Sequence, residues 1–196
     1  MTDSARYYDE HADEFYALSV GADMTALRDA FLAHLPPGTR ILDAGCGSGR
    51  DSRAFLDRGF RVTALDASAA MVARASALLD QPVLHMRFAD LTFDEAFDGI
   101  WACASLLHVP RAEMPTVLDR LGRALAPGGV LFASFKWGDG EVVRDGRLFT
   151  SYDEASFTRL LDAANATLPV IDLWRTEDVR PGRGGEYWLD VLLRKG

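Results

Sequence analysis

The chain of 196 residues has no long apolar run and no cluster of positive charge. No uncharged apolar stretch reaches the roughly 18 residues that a membrane-spanning helix needs, so we expect no membrane span. The formal net charge is −8 and no run of Lys or Arg exceeds two residues, which argues against a nucleic-acid-binding face. The acidic N-terminus lacks the apolar core of a signal peptide. These absences predict a cytoplasmic protein with no nucleic-acid or membrane partner.

Cysteine is also scarce, since Cys46 and Cys103 are the only two in the chain. Their separation fits neither metal-ligand spacing nor a disulfide framework, so we expect free thiols and no metal site. Hydrophobic residues make up 48% of the chain and charged residues 26%, which is typical of a globular domain. The length suits one domain, in a monomer or a homodimer.

Short apolar runs alternate with helical patterns along most of the chain. The first forty residues look helical, and apolar side chains in residues 26–35 recur with a period near 3.6. Ser68 and Gly59 are the expected caps of two later helices. The predicted strands are 40–44, 61–66, 82–90, 97–105, 130–137, 169–176 and 186–195, and the predicted later helices are 48–59, 68–80, near 111–125 and near 153–166.

This alternation predicts an α/β fold whose parallel sheet is covered on both faces. The last two strands are joined by the Gly-rich segment 180–185, which indicates a closing antiparallel hairpin. Ligands of such sheets bind outside the carboxyl ends of the strands. The stretch ILDAGCGSGRD at 41–51 lies at the carboxyl end of the first strand, which is where this rule places a ligand.

Three glycines in that stretch point to a close approach between backbone and ligand. Gly45, Gly47 and Gly49 remove Cβ atoms where the chain turns and leave backbone N–H groups open. A dinucleotide loop reads G-x-G-x-x-G, whereas here Arg50 occupies the third glycine position. Asp43, ahead of the glycines, suits a ligand with an ammonium group better than a pyrophosphate.

Two more acidic residues follow the next strands. Asp66 ends the second strand, where a carboxylate accepts hydrogen bonds from the hydroxyls of an unphosphorylated ribose. Asp90 and Leu91 follow the third strand, where a short polar side chain and the adjacent N–H can contact an adenine edge. The predicted ligand therefore has an adenine, a free ribose and a zwitterionic tail.

With these motifs the chain resembles the class I S-adenosylmethionine-dependent methyltransferases. The resemblance covers nearly the whole chain, and within the class the chain looks like the small, single-domain type 11/25-like group. The loop GCGSGRDS is also similar to that of tellurite-resistance methyltransferases. The motifs are LDAGCGSG (42–49), ALDAS (64–68), FAD (88–90), FDGIWACASLLHV (97–109) and RALAPGGVLFASF (123–135).

The resemblance implies a Rossmann-like three-layer αβα sandwich with a seven-stranded, mostly parallel sheet and an antiparallel C-terminal strand. It implies one domain, 1–196, in which an N-terminal helical lid (1–36) covers the core (37–196). S-adenosyl-L-methionine would be the cofactor and S-adenosyl-L-homocysteine the product, and the methyl group would pass to a small-molecule acceptor.

The resemblance also implies a set of cofactor contacts. The glycine turn would hold the methionine moiety, and two tyrosines of the N-terminal segment would fold over the cofactor. Arg50 would pair with the cofactor carboxylate or brace the lid. The implied cofactor-binding residues are Tyr8, Tyr16, Asp43, Gly45, Cys46, Gly47, Gly49, Arg50, Asp66, Ala67, Met71, Asp90, Leu91, Ala104 and Ser105.

Candidates for catalysis and acceptor binding lie further along the chain. His108 is the candidate general base, or alternatively a histidine that holds the loop before the next helix. Asp51 is expected to be an anion in the first turn of its helix. The polar segment 137–152 is longer than a plain connection, which is typical of a functional loop. Candidates for an acceptor-binding wall are Lys136, Arg147, Tyr152 and Trp188, with Arg144, Phe149, Arg180 and Arg183 near them.

Alternatives remain open for the charged loop and for the function. Converging arginines would select an acidic acceptor, but a solvated loop with structural salt bridges explains the same residues. An RNA- or protein-directed methyltransferase of the same fold is the second hypothesis for function, although ACAS at 102–105 lacks the Asn/Asp-Pro-Pro-aromatic signature of amino-methylating nucleic-acid enzymes. An NAD-dependent oxidoreductase and a cofactor-binding module without catalysis are the others.

Overall fold

The computed structural model describes residues 4–165, 167–180 and 182–196. Residue 166 of the predicted helix 153–166, Pro181 of the expected hairpin connection and the first three residues of the predicted lid lie outside this part. The helices are α1 (Ser4–Glu10), α2 (Ala12–Ser19), α3 (Thr25–Leu32), α4 (Arg50–Asp57), α5 (Ala69–Leu79), α6 (Met114–Ala124) and α7 (Glu154–Ala163). The strands are β1 (Arg40–Ala44), β2 (Arg61–Asp66), β3 (Leu84–His85), β4 (Phe97–Ala102), β5 (Leu125–Lys136), β6 (Gly140–Arg144), β7 (Arg147–Ser151), β8 (Val170–Glu177) and β9 (Tyr187–Arg194).

Seven of these strands form one sheet in the order β3-β2-β1-β4-β5-β9-β8, and β6 pairs with β7 in a separate hairpin. Strand β9 is antiparallel to both β5 and β8, whereas β1 to β5 pair in parallel. The predicted fold class, with its antiparallel C-terminal strand, is confirmed. The chain reverses its direction across the sheet between β1 and β4, so the switch point at which such sheets bind ligands lies beside the glycine turn.

The core lies on both faces of the sheet because neighbouring residues of a buried strand point to opposite sides. Ile100 of β4 packs in a cluster with Leu118 of α6 and Phe157 of α7. The next residue, Trp101, packs in a second cluster with Phe31 of α3 and Phe55 of α4. Each such side chain contributes about 1.5–3 kcal/mol when fully buried, and together they hold helices against both faces. No helix in the described part of the chain has the length and apolarity to cross a bilayer.

Two predicted strands are shorter than expected. Strand β3 has two residues instead of spanning 82–90 because it lies at the sheet edge and pairs only with β2. The chain then forms a 3₁₀ turn at Phe88–Asp90. Strand β4 ends at Ala102 rather than at residue 105, because Ala104 has a φ of +52°, which strand geometry excludes.

Strand β5 is longer than predicted and begins at Leu125 rather than at residue 130. Leu125 pairs with Phe97 of β4. The Gly128 N–H donates to Lys195 O over 3.1 Å, and the Lys195 N–H donates to Gly129 O over 2.8 Å. These bonds to the C-terminal strand keep the segment in the sheet, although its Pro-Gly-Gly sequence indicates a break.

The segment 137–152 is not the irregular loop that was expected, since it contains the hairpin of β6 and β7. Asp145 and Gly146, at its tip, have φ values of +51° and +73°, and Arg144 pairs with Arg147 across the turn. Two central residues with positive φ are typical of a type I′ turn, for which Asp-Gly is a favoured sequence. The hairpin gives this segment a defined shape beside the strand ends.

The close packing of the glycine turn predicts a steric cost at Gly45. An added Cβ would lie 2.4 Å from Ser105 Cβ, whereas one added at Gly59 would meet nothing within 4 Å. The φ values are +84° and +81°, so both alanine variants carry the same backbone strain of about 1–2 kcal/mol. We expect Gly45→Ala to lose about 1–3 kcal/mol more than Gly59→Ala in urea unfolding. Equal losses would contradict this packing argument.

Candidate active site

A cavity of about 1100 Å³ opens at the carboxyl ends of β1, β4 and β5. The glycine turn after β1 forms one side, and residues of β8, β9 and the β6–β7 hairpin form the other. Tyr8 and Phe15, from α1 and α2, also line it. The fold therefore brings the predicted ligand loop and the predicted acceptor wall to one cavity.

The backbone of the turn is shaped by its glycines and by Asp66. Gly45, Gly47 and Gly49 all have positive φ, between +53° and +84°. The Gly47 N–H donates to Asp66 Oδ2 over 2.8 Å, and the Ser68 N–H donates to Asp66 Oδ1 over 2.9 Å. Burial raises the pKa of this carboxyl above its usual value. Asp66 thus fixes the turn, and each carboxylate oxygen retains a lone pair for a ligand hydroxyl.

Asp43 is a buried carboxylate that no cation neutralises within the described residues. It is 3% exposed, and Ser52 Oγ donates to its Oδ2 over 2.6 Å. Burial, with the nearby charge of Asp51, raises the pKa of Asp43 to about 7. A ligand ammonium group at this wall would stabilise the ionised form, so the site fits the zwitterionic tail predicted from the sequence.

Asp51 has a larger role than the expected first-turn anion. Arg28 Nη1 donates to its Oδ1 over 2.7 Å, and Arg50 Nη2 and Trp101 Nε1 donate to its Oδ2 over 2.6 Å and 3.1 Å. Burial raises the pKa of Asp51, but the bonds from Arg50 and Arg28 outweigh it and hold the pKa below its usual value. Arg50 Nη1 also donates to Ser19 O over 3.1 Å. Arg50 therefore braces the N-terminal segment, one of its two predicted roles.

The predicted base His108 is held by two hydrogen bonds. Its Nδ1 lies 2.7 Å from Leu148 O, so Nδ1 carries the proton. Nε2 lies 2.8 Å from the Tyr8 hydroxyl and then accepts a hydrogen bond from it. Burial lowers the pKa of His108 to about 4, which keeps the ring neutral. This geometry matches the alternative reading of His108 as a loop-holding residue, and its role as a base stays a prediction.

Helix α1 contacts both sides of the cavity. On the hairpin side, the Leu148 N–H donates to Ser4 Oγ over 3.1 Å. On the α5 side, Ser68 Oγ donates to Asp9 Oδ1 over 2.6 Å. These bonds hold α1 between the β6–β7 hairpin and the N-terminus of α5.

Phe15, rather than Tyr16, is the aromatic residue of α2 at the cavity. The Phe15 ring lies 4.8 Å from the Tyr8 ring, measured between centroids. It is also 3.5 Å from the place of a Cβ on Gly47, whereas Tyr16 does not line the cavity. Tyr8 and Phe15 are seven residues apart, a spacing that puts two residues on one helical face and that could have identified Phe15.

The expected cationic wall is largely neutralised. Lys136 Nζ lies 3.1 Å from Asp178 Oδ2 and 2.7 Å from Glu186 Oε2, and 4.1 Å from the centroid of the Trp188 ring. Arg180 makes two hydrogen bonds to Asp178, and these pairings hold the pKa of Asp178 well below its usual range despite burial. The arginines therefore do not converge on a free anion site, which matches the alternative of structural salt bridges.

Tyr152 and Arg147 differ in their relation to the cavity. Tyr152 is 1% exposed, packs against Phe135 and Phe157, and does not line the cavity. Its predicted place in the acceptor wall is wrong, because directly after β7 this side chain enters the core. Arg147 does line the cavity, with its guanidinium carbon 4.1 Å from the centroid of the Tyr7 ring.

The remaining predicted residues fall into two groups. Ala104 lines the cavity and its N–H donates to Ser134 Oγ over 2.8 Å. Cys46 also lines it, and burial raises the pKa of its thiol well above the usual value, which disfavours a nucleophilic thiolate. Outside the lining are Gly49, Asp66, Ala67, Met71, Asp90, Leu91 and Ser105. Of these, Met71 and Leu91 are buried and Asp90 is exposed in its 3₁₀ turn.

Comparison with known proteins gives the family. Residues 41–129 match the family model described as a methyltransferase domain. Cypemycin N-terminal methyltransferase of Streptomyces sp is 35% identical, over 96% of this chain and 75% of that protein. Other curated relatives are longer, and the chain spans 32% of one and 42% of another.

Solved structures agree with this result. The 1,6-didemethyltoxoflavin-N1-methyltransferase of Burkholderia thailandensis, with bound 1,6-didemethyltoxoflavin and S-adenosylhomocysteine, is 26% identical with a TM-score of 0.79, over 98% of this chain and 85% of its own. A TehB-like S-adenosylmethionine-dependent methyltransferase from Corynebacterium glutamicum, 19% identical with a TM-score of 0.70 over 98% of each chain, shares the fold.

The sheet and its glycine turn define an α/β protein that binds a nucleoside-type ligand at the switch point. The chain belongs to the class I S-adenosylmethionine-dependent methyltransferases. Enzymes of this class take their methyl group from S-adenosylmethionine, the cofactor that the motifs predict, and Asp43 and the open turn fit its ammonium-bearing tail.

The Asp51 cluster predicts a large loss of stability in Asp51→Ala. The change leaves Arg28 and Arg50 buried without their shared carboxylate, which costs about 3–5 kcal/mol. Asp57→Ala is the matched control, since Asp57 lies on the same helix and pairs with Arg53 at the surface. That exposed pair contributes about 0–1 kcal/mol. Urea unfolding of both variants measures the difference, and similar losses would refute a special role for Asp51.

The raised pKa of Asp43 predicts a pH-dependent affinity for S-adenosylmethionine. Below pH 7 the carboxyl group becomes protonated, and its attraction for the ligand ammonium disappears. Calorimetric titration should show the dissociation constant rising by up to about tenfold for each pH unit between pH 7 and pH 5. Asp43→Asn should bind weakly with little change over this range. The same slope in both proteins would show that Asp43 does not contact the ammonium group.

Proposed function

We propose that the chain transfers a methyl group from S-adenosylmethionine to a small-molecule acceptor. The supporting observation is the single cavity of about 1100 Å³, which joins the glycine turn to the wall formed by β5, β8, β9 and the hairpin. The turn side would hold the donor and the opposite wall the acceptor. Helices α1 and α2 border the same cavity, an enclosure that suits a small acceptor better than a folded macromolecule.

The proposed roles at the donor side combine the structure with the family resemblance, since Asp66 holds the glycine turn but is not in the cavity lining. Asp43 would bind the ammonium group, residues 45–49 the methionine moiety and Asp66 the ribose hydroxyls. Residues 1–36 would form the lid of a single domain, held closed through Tyr8 and the Arg50 brace. The cytoplasmic location and the monomeric or homodimeric state expected from the sequence remain predictions.

Proximity is the main contribution of the protein to this chemistry. Methyl transfer is an in-line displacement, and the donor brings its own leaving group, so alignment of the two reactants supplies most of the acceleration. A general base adds roughly 10²–10⁴-fold when the acceptor arrives protonated. His108 would act chiefly by orienting the Tyr8 hydroxyl, since both of its nitrogens are engaged.

A peptide amino terminus is a second candidate acceptor. The Streptomyces relative is named as an N-terminal methyltransferase. The cavity also has exposed apolar side chains in its lining, at Trp137, Val142, Val179 and Tyr187. An extended chain end could contact these residues while its amino group enters the cavity.

Two experiments test the proposed function. Calorimetric titration with S-adenosylmethionine, S-adenosylhomocysteine and NADH identifies the donor, and tight binding of NADH alone would overturn the proposal. Transfer of a labelled methyl group into a metabolite pool, and separately into a peptide pool, identifies the acceptor. Label in peptides alone would favour the second candidate.

The ribose contact predicts weaker donor binding in Asp66→Ala. Loss of hydrogen bonds to a charged group should cost about 1–3 kcal/mol of binding free energy. Asp94→Ala, at an exposed position, is the control and should bind like the wild type. Thermal unfolding confirms that both variants are folded. An unchanged dissociation constant in folded Asp66→Ala would remove Asp66 from the site.

A further inference from the structure

Asp190 is a buried acid in the cavity wall with one unused oxygen. It lies on β9 between Ser134 of β5 and Trp174 of β8, and it is 0% exposed. Thr176 Oγ1 donates to its Oδ2 over 2.6 Å, whereas Oδ1 has no hydrogen-bond partner among the described residues. Asp190, Ser134 and Thr176 all line the cavity.

A buried oxygen without a partner destabilises the fold, because it has lost its hydrogen bonds to water and forms none within the protein. Such a group in the middle of strand β9, whose neighbouring residues 189 and 191–193 are buried and apolar, does not help the strand to pack. Burial also raises the pKa of Asp190 to about 6, although the Thr176 bond opposes the rise. A carboxyl group of this pKa is poised to exchange a proton near neutral pH.

The charges next to Asp190 do not favour an anion as its partner. Lys136 is paired with Asp178 and Glu186, and Arg180 is paired with Asp178. No ion pair of Asp190 is found in the described parts of the chain. Its uncharged neighbour Ser134 accepts a hydrogen bond from the Ala104 N–H through Oγ. The free oxygen therefore suits a hydrogen-bond donor or a cation.

A chain of contacts connects Asp190 to the glycine turn. Ser105, directly after Ala104, donates from its Oγ to Ala44 O over 2.6 Å and packs against Gly45. Ala104 bonds to Ser134, which is the β5 partner of Asp190 in the sheet. The end of β4 therefore lies between the glycine turn and Asp190. An acceptor bound at Asp190 would face a donor bound at the turn. Met24 and Leu27, also in the lining, provide apolar surface for the rest of the acceptor.

We propose that Asp190 binds the methyl acceptor through Oδ1 and that the acceptor is an amine or a ring N–H compound with an apolar body. This assignment rests on the proposed function. The nitrogen lone pair forms the bond to the methyl carbon, the carbon–sulfur bond breaks and its electron pair stays on sulfur. The proton of the methylated nitrogen passes to the Asp190 carboxylate, so charge and atoms balance.

The test uses the full chain as wild type, Asp190→Asn and the control Asp172→Asn. Asp172 is an exposed acid of β8 that does not line the cavity. The probes are benzylamine, benzyl alcohol and benzoate, each titrated by NMR at about pH 8, where Asp190 is ionised, with saturating S-adenosylhomocysteine. We expect Asp190→Asn to weaken benzylamine binding by roughly tenfold or more, while Asp172→Asn leaves it unchanged.

Three results would overturn the assignment. In the first, benzylamine fails to bind the wild type or binds Asp190→Asn with the same affinity. In the second, benzoate binds more tightly than benzylamine. In the third, benzyl alcohol binds as tightly as benzylamine and loses as much affinity in Asp190→Asn. Thermal unfolding separates a binding role from a structural one. The midpoint of Asp190→Asn should stay the same or rise, because a buried carboxylate is removed, and a fall would indicate a structural role.

S-adenosylhomocysteine titration of the same proteins separates the two proposals. Equal affinity in wild type and Asp190→Asn is expected, because Asp190 lies outside the donor side. Absence of binding to the wild type would refute the proposed function itself. If S-adenosylhomocysteine binds normally but benzylamine binds wild type and Asp190→Asn equally, only the acceptor assignment is refuted.

Discussion

The buried charge of Asp51 is the constraint on which the cavity depends. A carboxylate removed from water needs cations and hydrogen-bond donors close by, and Asp51 takes them from three elements through Arg28, Arg50 and Trp101. Because Arg50 also bonds to Ser19 O, the same cluster ties α2 to the core. The N-terminal segment is therefore held over the sheet by a charge at its centre rather than by apolar packing alone.

This cluster also decides the charge of the cavity. Arg50 is directed to Asp51, and its charge lowers the pKa of Asp43 too little to offset burial and the charge of Asp51, so that pKa stays raised. At the other wall Lys136 is paired with Asp178 and Glu186, and Asp190 has no ion pair among the described residues. Two buried carboxyl groups thus face a cavity in which Arg50, Lys136 and Arg180 are each paired with other acids, an environment that favours positive charge near Asp43 and Asp190. The methyl donor of this class carries both a sulfonium and an ammonium group.

Sequence patterns predicted the helices and strands well where the signal was local. The period of apolar residues found the helices and most strands, and the spacing of the glycines with Asp43 and Asp66 found the donor loop. The hairpin at 137–152 was missed because its strands are short and mostly exposed on β6, which leaves little apolar alternation. Its Asp-Gly tip was the available signal. Tyr152 was misplaced because the strand directly before it was not recognised.

The sequence by itself determined the fold class and the position of the ligand loop, and the family resemblance of its motifs implied the methyl donor. These features depend on backbone geometry and on residues that are neighbours in the chain. Only the tertiary structure decided which charges are paired: Arg50 with Asp51 rather than with a ligand, His108 with Tyr8 across 100 positions, and Asp190 with no cation. For Asp190 this absence holds among residues 4–165, 167–180 and 182–196. The physical reason is that burial and ion pairing depend on residues brought together by folding, and no local pattern records them.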